Sequence, residues 1–252
     1  MSGHEYLNGV LSRQTLTQAE VDSLRSVREA IEKSLRKEFG SRPKIYYGGS
    51  YGKKSMIREA FDLDIVFYHP HDSATTVKEI RNALLQCFRR WNWPVIEKDV
   101  ALRIQREGWQ FHVDFVPGRA QDNTFHMATL YRSRTGTTIQ TSVKAHIDAV
   151  ASRRDLVRLM KLWSLRHNLH IKTFVLEQAT MAGAEGTSLT DLGEQVWATL
   201  AWLRDNMEMA RLLDPANTNN VVSDLATAAE KRAIAAKAKW CREQKNWKSI
   251  VW

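Results

Sequence analysis

The chain has 252 residues, with 37 Lys or Arg against 28 Asp or Glu, and its formal net charge is +9 at pH 7. This length supports one large domain or two small lobes, and the basic excess favours polyanionic partners such as nucleoside triphosphates or nucleic acid. The two cysteines, Cys87 and Cys241, exclude a disulfide framework and a Cys-x-x-Cys zinc site, and with no signal-peptide pattern or long apolar run they predict a cytoplasmic protein without membrane contact.

The first predicted element is a helix that begins after Thr17 and ends at Gly40. Thr17 and Glu20 have the spacing of a capping box, and apolar residues repeat at helical spacing behind them. A strand or short turn at 45–47 leads into the glycine-rich segment 48–52. Glycine has no Cβ, so in such a loop the backbone N–H groups at Gly49 and Ser50 can approach phosphate oxygens.

An apolar run at 61–68 predicts a buried strand that carries Asp62 and Asp64. Side chains at i and i+2 of a strand share a face, so these two carboxylates point the same way. A third carboxylate, Asp114, stands in a second apolar strand. Buried carboxylates are costly without a cation, so the three predict a phosphoryl-transfer site for two Mg²⁺ ions, with Mn²⁺ as a substitute. His112 shares the face of Asp114 and is either a polar strand residue or a contact of that site.

The remaining patterns predict a sheet-rich first half and a helical second half. The first half adds an amphipathic helix at 77–91, a hairpin of 95–105 with 109–116, and a hairpin of 125–132 with 137–140. The helices predicted after it are 143–151, 153–167, 173–182, 191–209 and 223–244. We therefore expect an α/β (α+β) fold, with a mixed-sheet palm and brace helix at 1–142, a helical nucleotide-binding lobe at 143–252, and a cleft between them.

Several motifs, in order, resemble a known superfamily. The glycine-serine segment, the Asp-x-Asp strand and the Val-Asp-Phe-Val-Pro strand resemble the palm of DNA polymerase β-type nucleotidyltransferases. Residues 156–163 are similar to the lysine-bearing helix of 2′-5′-oligoadenylate synthetases and cyclic GMP-AMP synthase-like enzymes, and 172–177 and 214–221 resemble the segments after it. Class II CCA-adding and poly(A) polymerases share part of the pattern. Residues 53–55, Lys-Lys-Ser, depart from the Arg-Gly-Thr of many bacterial signalling members.

This resemblance implies a template-independent, Mg²⁺-dependent nucleotidyltransferase. It would join nucleoside triphosphates, ATP among them, into a short linear or cyclic oligonucleotide, a second messenger in bacterial antiviral defence. The partners implied besides nucleotides are a nucleic-acid activator or acceptor and an effector protein. The site residues implied are Asp62, Asp64 and Asp114 for catalysis and metal binding, Gly49, Ser50, Lys161 and Thr173 for the triphosphate, and Phe174 for stacking on the base.

Three alternatives stay open from the sequence. Nucleotide addition to a tRNA 3′ end or to a protein is favoured by the basic segment 230–252, with seven Lys or Arg against two acids, although a solvated surface explains that segment equally well. A nucleotide-sensing module without chemistry is disfavoured by the intact carboxylate trio. A small-molecule nucleotidyltransferase of the antibiotic-modifying kind is disfavoured by the motifs of the helical half.

Overall fold

The structure is a computed structural model that describes residues 2–252. The chain folds into two compact units. The helical unit comprises the chain up to Thr15, Ser55–Glu59 and Asp148–Trp252, and the sheet unit comprises Leu16–Lys54 and Ala60–Ile147. Within residues 2–252, no helix has the length and apolarity that a membrane span requires. The predicted domain boundary between residues 142 and 143 stays a prediction.

Helices and strands are numbered separately along the chain. The helices are α1 (Gly3–Ser12), α2 (Gln18–Phe39), α3 (Gly49–Lys53), α4 (Val77–Arg90), α5 (Val143–Val150), α6 (Arg154–Arg166), α7 (Thr173–Gly183), α8 (Leu192–Asn206) and α9 (Ala228–Arg242). The strands are β1 (Lys44–Tyr47), β2 (Leu63–His69), β3 (Val95–Glu97), β4 (Leu102–Ile104), β5 (Val113–Ala120), β6 (Ala128–Arg132), β7 (Thr137–Thr141), β8 (Leu213–Asp214) and β9 (Asn217–Val221).

Seven strands of the sheet unit form one mixed sheet, whose main path has the order β1-β2-β5-β4-β3. β2 and β5 run parallel, and the other neighbouring pairs are antiparallel. The first half of β5 pairs with β4 and its second half with β6, which also pairs with β7. In this register Asp64 lies beside Asp114, and Asp114 lies beside Arg103. Strand pairing therefore places two acids and one arginine in a single row.

One face of this sheet is covered by helices. Phe88 of α4 contacts Phe115 of β5 with ring centroids 4.7 Å apart, and Phe39 of α2 contacts Phe67 of β2 at 5.1 Å. All the strand residues in these contacts are essentially buried. Because successive strand side chains alternate between faces, the row of two aspartates and one arginine lies on the face opposite to these rings. The helices thus support the sheet from behind the charged row.

The helical unit has its own hydrophobic core. Trp163 of α6 is 1% exposed, and apolar residues of α7, α8 and α9 surround it in the same cluster. Leu7 of α1 belongs to this cluster as well, and α1 begins with a capping box between Ser2 and Glu5. The sequence interpretation contained no helix at α1. This first helix thus belongs to the core around Trp163 rather than to the sheet.

Most predicted elements are confirmed within a few residues. α2 begins after Thr17, where Thr17 and Glu20 make both hydrogen bonds of the capping box, and it ends at Gly40 with a positive φ of 72°. The second predicted hairpin is observed as β6 and β7. These elements carry strong local signals in the sequence, namely caps, a C-terminal glycine and alternation.

Some predictions of local structure are wrong. The predicted strand 95–105 is itself a hairpin, because β3 turns back and pairs with β4. The predicted helix 223–244 is broken, because Thr227 caps a new helix at Ala228 while Val222–Leu225 forms a single 3-10 turn. The segment 48–52 is not an open loop, since Gly49–Lys53 forms the short helix α3. β8 and β9 form a small sheet in the half predicted to be nearly all helical.

Candidate active site

The three predicted catalytic aspartates lie at one end of the β2–β5 pair. Asp62 directly precedes β2, Asp64 is its second residue, and Asp114 is the second residue of β5. Asp64 and Asp114 are register partners across two parallel strands. Neighbouring strands are about 4.8 Å apart, so the backbone holds these two carboxylates side by side. All three side chains are partly exposed, which leaves them accessible to a ligand.

His112 lies between two of these aspartates. Its Nε2 atom is 3.1 Å from Asp62 Oδ2 and 3.9 Å from Asp114 Oδ2. Within the described residues this buried nitrogen has no aligned hydrogen-bond partner, so the short approach to Asp62 is a contact without hydrogen-bond geometry. One ligand atom from each of the three residues lies within 4.8 Å of the others. Of the two roles left open for His112, the structure supports a contact of the acidic site.

Arg103 of β4 forms a bidentate pair with Asp114. Its Nε donates to Asp114 Oδ1 at 2.8 Å, and its Nη2 donates to Asp114 Oδ2 at 2.7 Å. The hydrogen bond to Asp114 raises the pKa of Arg103, burial opposes that shift, and the charges of Asp62 and Asp64 add to it. A bidentate arginine fixes the plane of the carboxylate as well as its charge. Arg103 therefore orients Asp114 toward the other acids.

Gly49 is in contact with the carboxylate of Asp64. The Gly48 N–H donates to the Asp64 carbonyl oxygen at 2.9 Å, which ties the start of α3 to β2. Gly49 has a φ of +47°, and a Cβ added there would overlap the Asp64 carboxylate. Only glycine satisfies both conditions, the backbone angle and the close approach. Ser50 follows in the first turn of α3 and is partly exposed, so the segment predicted to bind phosphate lies directly beside Asp64.

The donor set at this site fits divalent cations. One ligand atom each from Asp62, His112 and Asp114 lies within 4.8 Å of the others, and Arg103 holds Asp114 in a bidentate pair. Carboxylate oxygens have further lone pairs, and Asp114 can accept from Arg103 and still bind a cation. Oxygen donors suit Mg²⁺ and Mn²⁺, whereas an imidazole such as His112 is accepted more readily by transition metals than by Mg²⁺. Asp62, Asp64 and Asp114 are thus chemically suited to the predicted ions.

Lys161 of α6 lies in the helical unit with its charge already paired. Its ammonium is 3.7 Å from Glu177 Oε1, and it donates to the carbonyl oxygen of Ser55 at 3.1 Å and to the Ser55 hydroxyl at 3.3 Å. The side chains of Lys161 and Glu177 are only 11% and 2% exposed. A charge as buried as Glu177 requires a nearby cation. The role of Lys161 in triphosphate binding stays a prediction, and its observed role is to neutralise Glu177.

Thr173 and Phe174 begin α7, the helix that follows. Thr173 is exposed at the first position of the helix, where its hydroxyl is accessible to solvent. Phe174 is partly buried and packs against the hydrophobic core of the helical unit. Its ring is therefore shared between the core and the surface, and base stacking by Phe174 stays a prediction.

A depression of about 600 Å³ lies in the helical unit. Its polar lining is already used to cap helices, since Ser2 accepts from the Glu5 N–H and Asp191 accepts from two N–H groups of α8. Among the described residues that line it, none belongs to the predicted site. Ser2 and Asp191 of this lining thus serve as helix caps.

The sequence interpretation missed Arg103. Its signal was present, because Arg103 stands between buried Leu102 and Ile104 just as Asp114 stands between buried Val113 and Phe115. Alternation of this kind marks a polar side chain on the exposed face of a strand. The pairing itself depends on the register of β4 against β5, which no local pattern specifies.

No family model and no curated protein matches this chain. Solved structures do match. The E. coli MS115-1 CdnC:HORMA-deltaN complex gives a TM-score of 0.75 at 18% identity, over 95% of this chain and 89% of that one. Elizabethkingia meningoseptica CdnE, a cyclic dinucleotide synthase solved with GTP and Apcpp, gives 0.70 at 15%, over 95% and 98%. Vibrio cholerae DncV, a cyclic AMP-GMP synthase and prokaryotic cGAS homolog, gives 0.72 at 16%, over 95% and 89%.

These similarities confirm the predicted fold. The chain has the polymerase β-like nucleotidyltransferase fold, in the form found in structures of cyclic dinucleotide synthases related to cyclic GMP-AMP synthase. At identities of 15–18% the likeness concerns the fold. Activity therefore has to be argued from the residues of this chain.

Proposed function

We propose that this protein is a template-independent nucleotidyltransferase that joins nucleoside triphosphates with release of pyrophosphate. The observation that carries the proposal is the row formed by Asp64, Asp114 and Arg103 across three paired strands, with Asp62 and His112 beside it. Partly exposed carboxylates gathered at one end of two neighbouring strands supply the oxygen ligands that divalent cations prefer. Nucleotidyl transfer needs such a cation site next to a place for phosphates.

Asp62, Asp64 and Asp114 would hold Mg²⁺, or Mn²⁺ in its place. When bound, these ions supply charge neutralisation at the triphosphate and activation of the attacking hydroxyl. Arg103 would keep the Asp114 carboxylate in one orientation, because both of its oxygens accept from the guanidinium. His112 would restrict Asp62 from the other side by its close approach. The chain thus contributes a preorganised set of oxygen ligands rather than a nucleophile of its own.

Gly49 and Ser50 would bind the phosphates of the incoming nucleotide. The support is their position at the start of α3, where Gly49 already approaches the Asp64 carboxylate without an intervening side chain. Lys161 and Thr173 are proposed to bind the triphosphate and Phe174 the base. For Lys161 this role requires that its ammonium exchange part of its contact with Glu177 and Ser55 for phosphate oxygens.

We further propose that the product is a short linear or cyclic oligonucleotide with a signalling role in antiviral defence. The support is the fold shared with CdnE and DncV, which are cyclic dinucleotide synthases. An effector or regulatory protein partner is proposed by the same comparison, since CdnC forms a complex with a HORMA protein.

The test is a product analysis. RNase-treated protein is incubated with each labelled NTP and dNTP, singly and in pairs, with Mg²⁺ or Mn²⁺, and the products are resolved by mass. The proposal predicts pyrophosphate release and a short oligonucleotide made from nucleotides alone or after nucleic acid is supplied as an activator. Label found only at the 3′ end of added tRNA, or only on protein, would replace oligonucleotide synthesis with the alternative of macromolecular transfer. No incorporation under any condition would contradict the proposed activity.

A further inference from the structure

Two tryptophans of the helical unit are exposed at one place on its surface. Trp240 is 41% exposed and Trp252 is 42% exposed, whereas the other seven tryptophans are partly or fully buried. Both rings contact the imidazole of His167, with centroids 5.9 Å and 5.4 Å away, and both contacts are edge-on. An exposed indole costs free energy in water unless a ligand covers it. Two of them around one imidazole form a small aromatic platform.

The position of Trp252 is fixed by hydrogen bonds. His167 Nε2 donates to the Ile250 carbonyl oxygen at 2.7 Å, and the Tyr6 hydroxyl donates to the Val251 carbonyl oxygen at 3.1 Å. Ile250 and Val251 are 2% and 1% exposed. The two residues before Trp252 are therefore anchored in the core, and the indole that follows them is held at the surface.

Cations lie against both exposed rings. The ammonium of Lys237 is 4.5 Å from the ring centroid of Trp240, and the guanidinium carbon of Arg166 is 5.7 Å from that of Trp252. Arg166 also forms an ion pair with Glu59, so part of its charge is compensated. Burial lowers the pKa of His167, its hydrogen bond to Ile250 opposes that shift, and the charge of Lys237 adds to it. Since the Arg166 side chain is only 14% exposed, the positive charge that the platform presents is carried mainly by Lys237.

The exposed face of α9 extends this charge. Arg232 and Lys239 are both exposed and seven residues apart, so they lie on one side of the helix about 10 Å apart along its axis. Between them the same face carries small side chains, Ala233 and Ala236, both exposed. The exposed residues of α9 from Arg232 to Lys239 thus place two further cations on the helix that carries Trp240.

We propose that the surface formed by Arg166, His167, Lys237, Trp240 and Trp252 binds single-stranded nucleic acid. Exposed aromatic rings interleaved with Lys and Arg are the pattern that binds unpaired bases by stacking and their phosphates by charge. A cluster of cations without aromatic rings could not stack on bases, and an apolar patch without cations could not bind phosphates. A duplex keeps its bases stacked inside, so it cannot use the rings. The proposal concerns the helical unit and does not depend on the proposed catalysis at the acidic site.

The test is a binding titration by fluorescence anisotropy with labelled twelve-nucleotide oligo(dT) and oligo(U), and with a duplex of equal length. The Trp240→Ala/Trp252→Ala variant is expected to bind both single strands about five- to a hundredfold more weakly, the range for lost base stacking. The Trp240→Phe/Trp252→Phe variant keeps the stacking surface and should recover most of the affinity. Leu189→Ala is the matched control, since Leu189 is a 59% exposed apolar residue of the same unit, and it should change nothing.

Lys237→Gln tests the charge independently. It is expected to weaken binding modestly and to lower the slope of log affinity against log salt by about one, as for one phosphate contact. Lys237 is partly exposed. If circular dichroism shows that the double alanine variant does not fold, the Lys237→Gln variant alone tests whether this surface binds the oligonucleotide. Asp114→Asn should bind oligonucleotide like wild type, which separates this surface from the catalytic proposal. Three results would overturn the proposal. The folded double variant could bind the single strands as tightly as wild type, or wild type could bind the duplex as tightly as the single strands. Wild type could also bind no oligonucleotide, which would favour an acidic protein partner.

Discussion

The acidic site of the sheet unit was predicted from the spacing of its residues and the lysine site of the helical unit from a superfamily resemblance, and the two sites differ in their exposure and in the pairing of their charges. At the acidic site, Asp62, Asp64 and Asp114 are partly exposed at one end of the β2–β5 pair, and Arg103 pairs with Asp114. At the lysine site, Lys161 is mostly buried and already paired with Glu177. The first arrangement presents acids to a ligand at a partly exposed surface, whereas the second buries one acid against one lysine.

This difference shows what a motif specifies and what it does not. A motif places a residue on an element, and here Asp64 and Asp114 lie on strands and Lys161 on a helix. The free energy of ligand binding depends also on the partner that each charge has before the ligand arrives. A charge that lacks a partner gains free energy when a ligand binds it, whereas a charge that is already paired must exchange its partner for the ligand.

The largest effect is expected at the acidic site. Asp62→Asn, Asp64→Asn and Asp114→Asn should each lower nucleotide incorporation by more than about a thousandfold, because a lost metal ligand removes several kcal/mol and each 1.4 kcal/mol is about tenfold. Incorporation is measured by pyrophosphate release. Asp72→Asn is the matched control, an exposed acid of the same unit paired with Arg42. Wild-type product from the Asp64→Asn protein would show that the row of acids is not catalytic.

The next effect concerns the close approach at Gly49. Gly49→Ala should lower incorporation about a hundredfold, since the added Cβ must displace the Asp64 carboxylate and small misplacements cost about that much. Gly108→Ala is the control, because Gly108 also has a positive φ but its Cβ would meet nothing within 4 Å. A Gly49→Ala enzyme as active as the Gly108→Ala enzyme would show that the close approach of Gly49 to Asp64 does not matter for catalysis.

A third prediction concerns whether Lys161, which is already paired with Glu177, also binds phosphate. Lys161→Met should weaken binding of a non-hydrolysable triphosphate by about 10- to 100-fold, because it removes a charge-assisted contact of about 1.5–3 kcal/mol. Glu177→Gln keeps the lysine and leaves it without its counter-charge, so it should bind triphosphate at least as tightly as wild type. Isothermal titration reads both.

If Lys161 were only structural, the two variants would behave alike. Each would leave one buried charge without its partner and lower the free energy of unfolding, by about 3–5 kcal/mol for a fully buried pair. The double substitution Lys161→Met/Glu177→Leu should then recover stability, because no uncompensated charge remains. Unchanged triphosphate affinity in Lys161→Met would restrict this residue to that structural role.

The smallest effect is a dependence of stability on pH in both units. Burial lowers the pKa of His69 in the sheet unit and of His167 in the helical unit. The unfolded chain therefore binds these protons first as the pH falls, and the free energy of unfolding should decrease below about pH 6.5. His69→Phe should flatten this decrease, because His69 Nε2 has no hydrogen-bond partner among the described residues. Exposed His71→Gln should leave the profile unchanged, and an identical slope for His69→Phe would contradict the assignment.

Elements with local signals were predictable from the sequence. The capping box of Thr17 and Glu20 and the glycine at 40 gave both ends of α2. Thr227 and Glu230 form a capping box at the start of α9. The break in the predicted helix 223–244 was therefore also predictable from the sequence. Spacing placed His112 on the face of Asp114, which is where it lies.

Contacts between distant segments were not predictable. Arg103 meets Asp114 only because β4 pairs with β5 in one register, and a slip by one residue would turn its side chain to the other face. Lys161 meets Glu177 because α6 and α7 pack together, and their spacing in sequence does not show this. The sequence pattern identified the residues of the acidic site, and tertiary packing determined the partner that Asp114 has in Arg103.

The most direct test of the central claim, that these carboxylates form a divalent cation site, is Mn²⁺ binding measured by electron paramagnetic resonance in the presence of a non-hydrolysable triphosphate. Wild type and Asp72→Asn should bind Mn²⁺ with equal affinity. Asp62→Asn and Asp114→Asn should bind it about tenfold more weakly or worse, since even residues that only support a ligand change metal affinity by about 10- to 100-fold. Mn²⁺ binding that is the same in all four proteins would contradict the account.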